Sequence, residues 1–225
     1  MNKKSQKKNI TSIIALLIVL VSGAFGLNLD KFTGPTATSP SSTVTENKNT
    51  ALPTEADLQP VGNNPGITEN GPANFTAAEL KWTDTGWIDY FPLDSQQRPT
   101  GAEALLTKEM INTGTSANRD IRPPGFISGP KYDHSRGHLI AKQFGGSGDE
   151  PKNLVTLYQY PVNDPYMNFY ELKIRHALNE GDTVRYRVTP IYQGKDLLPS
   201  AVTLDAKGLT QHSTIDFSVT IPNVK

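Results

Sequence analysis

The feature that most constrains this chain is a change of texture near residue 74. Between residues 28 and 73 lie six of the 17 prolines, among many Thr, Ser and Asn, and Phe32 is the only aromatic. No hydrophobic period is visible there. Such a stretch cannot bury enough apolar surface to offset its ordering entropy, so residues 28–73 are expected to form a disordered linker, a tether or a pro-region. Aromatic and apolar residues return at Phe75, Leu80, Trp82 and Trp87. A folded domain is therefore expected over 74–225, about 150 residues, the right size for one hydrophobic core. No internal repeat is present.

The front end constrains where that domain works. Lys3, Lys4, Lys7 and Lys8 precede a continuous apolar run from Ile13 to Val21, followed by Ser22, Gly23 and Ala24. A charged region followed by an apolar one is the mark of an export signal, and Ser22 and Ala24 have the small side chains and spacing of a cleavage site. The run also nearly spans a bilayer. Residues 1–27 are thus read as a signal peptide or an N-terminal membrane anchor, with the lysines left on the cytoplasmic side. The rest of the chain is expected to be secreted or held outside the membrane. Cysteine is absent. That excludes disulfides, thiolate metal sites and cysteine nucleophiles, and suits an exporting Gram-positive bacterium that does not rely on disulfides.

Net charge is zero, with 22 basic and 22 acidic residues. Taken whole, this speaks against a strongly basic nucleic-acid binder. The balance is uneven along the chain. The leader is basic, whereas residues 28–73 hold Lys31 and Lys48 against Asp30, Glu46, Glu55, Asp57 and Glu69. Within the domain, Arg119, Arg122, Lys131, Arg136 and Lys142 face only Asp120 and Asp133 over the same stretch. Lys173, Arg175, Arg185, Arg187 and Lys195 form a second basic stretch. Attraction to a polyanion is local and should weaken steeply with salt.

The domain reads as α+β, an antiparallel sheet with packed helices. Trp82 to Leu93 suits strands. Gly101 to Ile111 reads as a short helix, and Asn118 to Pro130 as loop. His138 to Lys142 resembles a strand end, closed by a flexible turn at Gly145-Gly146-Ser147-Gly148. Asp164-Pro165 predicts a helix start, with Asp as N-cap and Pro in the first turn. That helix runs to about Leu178 and stops at Asn179-Glu180-Gly181. Its apolar stripe is Tyr166, Tyr170, Ile174, Ala177 and Leu178. Val184, Tyr186 and Val188 alternate with Arg185 and Arg187, and Ile215, Phe217, Val219 and Ile221 alternate too. Both predict strands with one wet face.

The densest polar cluster is Tyr132-Asp133-His134-Ser135-Arg136-Gly137-His138. Arg136 and His138 are two apart and face one side of a strand. Gly137 lets backbone or substrate approach. Asn153 and Asn163 follow, then Glu171 and Arg175, four apart on one helix face. Phosphodiester hydrolysis needs a base for water, a cation for the phosphate and help for the leaving oxygen. His138 can be the base. Asn163 can offer a neutral oxygen to a hard cation such as Mg²⁺, which keeps most of its waters. Arg136 and Arg175 can clamp phosphate oxygens.

Each residue also has a plainer reading. His138 can be a structural histidine, and Glu171 with Arg175 an ordinary one-turn salt bridge. Asn153 and Asn163 can be turn and cap residues. His134 is expected to pack, while His176 and His212 lie at the surface. No Gly-x-Ser-x-Gly elbow and no His-Glu-x-x-His motif is present, so other hydrolase classes have no support. A non-catalytic surface module that binds nucleic acid through the same basic stretches stays open.

Ser135-Arg136-Gly137-His138, followed by Asn153-Leu154-Val155-Thr156 and then Asn163, Glu171 and Arg175, resembles the DNA/RNA non-specific endonucleases. These are ββα-metal, or His-Me finger, enzymes. Their core motif is Asp-Arg-Gly-His, and Ser135 stands here where the family has Asp. Asn118-Arg119 and Arg122-Pro123-Pro124-Gly125 are similar to the secreted streptococcal-type members. The resemblance covers roughly residues 80–190. It implies a ββα-metal finger within the sheet-and-helix domain, with His138 as general base and Asn163 as metal ligand. It implies Glu171 as a carboxylate that orients water, Arg136 and Arg175 as phosphate binders, and Asn153 as a support beside the histidine. It further implies Mg²⁺ as cofactor, with Mn²⁺ as a substitute, and single- or double-stranded DNA and RNA as substrates. A membrane would be met only through the N-terminal segment.

Overall fold

Alternating apolar positions over 184–188 and 215–221 mark two strands of the central sheet. The computed structural model describes residues 52–225. Its strands are β1 (Thr68–Gly71), β2 (Trp87–Tyr90), β3 (Ala102–Leu106), β4 (His134–His138), β5 (Leu154–Tyr158), β6 (Val184–Ile191), β7 (Ala201–Gly208) and β8 (Asp216–Pro222). Its α-helix is α1 (Asn168–Asn179). Six strands form one antiparallel sheet in the order β1-β8-β7-β6-β3-β2, and β4 pairs antiparallel with β5 as a separate ribbon. One face of the sheet carries Ala104 and Leu106 of β3, Tyr186 and Val188 of β6, and Val202 and Leu204 of β7. All are buried in one core with Tyr166, Tyr170, Ile174, Ala177 and Leu178. The expected helical stripe is therefore the helical side of this core. The helix ends as its sequence demands. Gly181 sits at φ +92°, where only glycine is unstrained, and its N–H and that of Asp182 bond back to Leu178 and Ala177. Ribbon β4–β5 followed by α1 is the ββα finger within the α+β domain.

Several expectations change. The stretch Gly101–Ile111 is not a helix. Residues 102–106 form β3, between β2 and β6, and only Lys108–Met110 turns as a short 3₁₀ segment. Ala102, Ala104, Leu105 and Leu106 are fully buried. Ala and Leu are good helix formers, but pairing on two edges and burial on both faces outweigh a propensity of a few tenths of a kcal/mol per residue.

The arginine face of β6 is not wet. Arg185 is buried, donates to the Ala104 and Glu79 carbonyls, and pairs with Glu103 at 2.5 Å. Its guanidinium lies 4.6 Å from the Trp87 ring. Arg187 pairs with Glu79 and lies 4.7 Å from the Phe75 ring. Residues 75–87 thus cover this face, held by ion pairs and cation–π contacts.

The linker boundary also moves. Within the described residues, the supposed linker from 52 to 73 folds onto the domain. Leu58, Val61 and Ile67 pack against the core, and β1 pairs with β8. Asn64, buried, donates to the Pro222 and Val224 carbonyls at 2.9 and 2.6 Å. Few apolar residues suffice there because the surface they cover already exists. The leader and residues 28–51 lie outside the described residues. Among the described residues no helix is long and apolar enough to cross a membrane.

The entry to α1 is more elaborate than a single cap. A wide-wound segment, Gln159–Met167, precedes it, with extended backbone at Asp164 (φ −144°, ψ 123°). The expected cap at Asp164 does not form: its carboxylate accepts from the Asn168 side-chain amide at 3.1 Å, and α1 starts after Met167 with no side-chain capping bond, because the wide-wound segment intervenes.

Candidate active site

The turn after β4 is shaped by Asn153. This side chain is fully buried, and its Oδ1 accepts from the Ile140 N–H at 2.8 Å. Its Nδ2 donates to the Ile140 and Ser147 carbonyls. The glycine run 145–148, expected to be flexible, is pinned. Ser147 N–H donates to the Tyr90 hydroxyl, Gly148 N–H to Thr115 Oγ1, and Thr115 N–H to the Gly146 carbonyl. These bonds bring the irregular segment of residues 111–118 against the end of β4.

His138 ends β4 inside this frame. Its Nε2 lies 3.0 Å from the Thr115 carbonyl. A carbonyl only accepts, so Nε2 carries the proton and Nδ1 carries the free lone pair. Burial holds the imidazole below its ordinary pKa, the Thr115 bond opposes this, and the Lys142 charge adds to it. The ring is therefore neutral and basic near pH 7. Gly137 precedes it for a packing reason. A Cβ there would lie 2.5 Å from Leu157 Cδ1, so the close neighbour is the adjacent strand and not a substrate.

The wide-wound segment and α1 supply the opposite wall. His138, Lys142, Gln143, Gln159, Asn163 and Glu171 line one open cleft of about 380 Å³, with Asp164 and Asn168 at its edge. Asn163 donates through Nδ2 to Gln159 Oε1 at 3.1 Å. Its Oδ1 accepts no hydrogen bond among the described residues. Glu171 Oε2 accepts from Gln143 Nε2 at 3.2 Å. Burial pushes the Glu171 carboxyl up to about 7, against the Gln143 bond and with help from the Asp164 charge. Near it the Tyr186 hydroxyl is buried without a partner among the described residues, and burial and the Glu171 charge suppress its ionisation. A larger cavity of about 590 Å³ lies between α1 and β8, lined by Tyr170, Ile215 and Phe217. It contains none of the predicted site residues.

Three of the six predicted residues thus share the cleft: His138, Asn163 and Glu171. The other three act from outside it. Asn153 is a buried clamp with its amide spent on backbone. Arg136 turns away, donating to the Ile121 carbonyl at 2.5 Å and the Arg119 carbonyl at 2.8 Å. It stacks 4.1 Å from the Phe126 ring. It thereby anchors the 119–126 loop, on which Arg119 and Arg122 stay exposed. Arg175 donates to Asn112 Oδ1 at 2.8 Å and to Gln143 Oε1 at 3.3 Å. Among the described residues it makes no ion pair with Glu171, so the simple one-turn bridge does not form. His134 packs among Phe126, Tyr132 and Tyr158. His176 and His212 are exposed. Sequence reasoning missed Gln143, Gln159 and Asn168. Single amides carry no pattern of their own, and only the tertiary wall reveals them.

A β-ribbon and helix framing a histidine, an amide oxygen and a carboxylate define a ββα-metal nuclease fold. The sequence model of the DNA/RNA non-specific endonuclease family matches residues 78–209. The chain belongs to that family. It is similar to the magnesium-bound crystal structure of NucA from Streptococcus agalactiae, at 28% identity over 76% of this chain and 89% of that one, with a TM-score of 0.61. It is likewise similar to the metal-free form, at 29% identity over 71% and 80%, with a TM-score of 0.59. The zinc-bound Sda1 nuclease shares the fold at 21% identity over 71% and 90%, with a TM-score of 0.57.

Proposed function

We propose that this protein is an exported, metal-dependent endonuclease that hydrolyses DNA and RNA with His138 as general base. The observation that carries this reading is the meeting of His138, Asn163 and Glu171 in one cleft, with the Thr115 carbonyl fixing the basic nitrogen of the imidazole.

The cleft suits a hydrated hard cation. Among the described residues Asn163 Oδ1 has no protein donor, and the Glu171 carboxyl lacks a positive partner. Among the described residues no group of three His, Cys, Asp or Glu forms a metal cage. Such a sparse oxygen set fits Mg²⁺, which dehydrates reluctantly, or Mn²⁺, better than zinc. Asn163 would ligate the cation, with Glu171 oriented beside it. The bound ion supplies positive charge to the phosphate and to the leaving oxygen. The magnesium in the NucA structure supports this choice.

The protein's own steps follow from the geometry. His138 Nδ1 takes a proton from the attacking water while Thr115 holds the ring in place. Lys142, exposed at the rim, attracts the phosphate. Arg119 and Arg122 extend the basic surface along the Arg136-anchored loop. Contacts to phosphate carry no sequence information and do not read the 2′-hydroxyl, so this reading implies cleavage of DNA and RNA without sequence preference.

Digestion of plasmid DNA and of structured RNA with Mg²⁺, with Mn²⁺ and with EDTA tests the reading. Cleavage of both polymers with either ion and none in EDTA is expected. Salt-sensitive binding with no product under any condition would instead identify a non-catalytic binding module.

A further inference from the structure

Gln143, Gln159 and Asn168 are neutral cleft side chains without a part in the proposed hydrolysis, and of these Gln143 touches both Glu171 and Arg175. Gln143 lies in the 3₁₀ turn Lys142–Phe144 that follows β4. Its Nε2 donates to Glu171 Oε2 at 3.2 Å, and its Oε1 accepts from Arg175 Nη1 at 3.3 Å. A guanidinium only donates, so Gln143 Oε1 must face Arg175 and its Nε2 must face Glu171. Arg175 Nη1 also donates to Asn112 Oδ1 at 2.8 Å, and the Asn112 N–H donates to the Gln143 backbone carbonyl at 2.9 Å. A closed ring of hydrogen bonds results.

Glu171 and Arg175 are one helical turn apart, the spacing at which opposite charges ordinarily meet. Among the described residues they form no ion pair. Gln143 stands between them. A direct guanidinium–carboxylate fork would engage both carboxylate oxygens and cancel their charge. The amide engages only Oε2, through one neutral N–H.

We propose that Gln143 is a positioning residue that holds Arg175 one amide away from Glu171. The carboxylate oxygens then stay open to a cation in the cleft, and Arg175 keeps its remaining N–H groups for phosphate. This deepens the nuclease reading and rests on it.

The test is a double-mutant cycle of Gln143→Met, which keeps length but not hydrogen bonds, with Arg175→Ala. Gln143→Ala serves as a second variant, and circular dichroism checks folding of each. Mn²⁺ affinity is measured by electron paramagnetic resonance without nucleic acid, and kcat and KM on duplex DNA with Mg²⁺. Gln143→Met should weaken Mn²⁺ binding roughly tenfold and lower kcat roughly 10- to 100-fold, with KM changed less than about threefold. In the Arg175→Ala background the same change should alter Mn²⁺ affinity less than about twofold, because no guanidinium remains to fall onto Glu171. An equal loss in both backgrounds, or wild-type Mn²⁺ affinity in Gln143→Met and Gln143→Ala, would overturn the proposal. Absence of cleavage by the wild-type protein would instead remove the nuclease reading, and the Mn²⁺ cycle would still judge Gln143.

Discussion

His138 shows how one hydrogen bond selects a chemical role. The Thr115 carbonyl can only accept, so the free lone pair is Nδ1. Burial lowers the imidazole pKa from its ordinary value of 6.5. Two consequences follow with definite sign. The limb of kcat/KM that reports protonation of this ring should lie below pH 6.5, separate from any limb that Glu171, at about 7, contributes. Folding favours the neutral ring, so this group's contribution to stability is complete above pH 6.5 and is lost as pH falls through the lower folded-state value. Replacing His138 with Ala should cost about 10²- to 10⁴-fold in kcat, as for removal of a general base, with the melting temperature little changed. Unchanged activity would end the assignment. His138 and Asn163 were legible as candidates because their spacing within an ordered set is distinctive. Arg136 was legible as a candidate, but its placement was not. Its side chain meets carbonyls of a loop 15 and 17 residues upstream, a path no local pattern encodes.

At the scale of elements, the ββα finger depends on a turn held by a single amide. Asn153 satisfies the Ile140 N–H and two carbonyls in a site closed to water. Asn153→Ala would leave these groups buried and unpaired, at roughly 1–3 kcal/mol for the exposed shortfall. A lower denaturation midpoint is expected, together with loss of activity through displacement of His138. Wild-type stability would show that the turn holds without it. Helix α1 was well marked beforehand, by its apolar stripe and by the Asn179-Glu180-Gly181 stop. Strand β3 was not. Its Ala-Glu-Ala-Leu-Leu sequence has no strand period, because both of its faces are covered. Glu103 is the one polar side chain in it, and its partners Arg185 and Arg187 lie on β6.

At the scale of the whole molecule, the fold begins earlier than the texture break. A chain starting at residue 74 would lose β1, the Asn64 bonds and the cover provided by Leu58, Val61 and Ile67. About 3 kcal/mol of stability should go with it, at roughly 1 kcal/mol for each partly buried apolar side chain. Comparing melts of chains starting at residues 52 and 74 checks this, and equal stability would restore the later boundary. Charge acts at the same scale. The chain is neutral overall, but Arg119 and Arg122 stand exposed on the loop that Arg136 anchors. Replacing either with Ala should weaken DNA binding uniformly across sequences and reduce the salt slope of log K by about 1. A slope unchanged in both variants would place the nucleic acid elsewhere.

What the amino-acid sequence determined alone was whatever is local or ordered along the chain. It marked the texture break, the stripe and stop of α1, the alternation in β6 and β8, and the set His138, Asn163, Glu171. Such features repeat at the period of an element or follow the order of a motif, so they need no knowledge of neighbours. The tertiary structure decided the rest. It turned a helix-forming segment into β3, covered the arginines of β6, and drew residues 52–73 into the domain. It placed Gln143 between Glu171 and Arg175, and sent Arg136 to a loop instead of the cleft. Each of these depends on which surfaces and polar groups distant segments leave unsatisfied. Arg187 finds Glu79 across 108 residues, and Asn64 reaches Val224 across 160. Buried polar groups must be paired with whatever the fold brings near, and that requirement has no period to read.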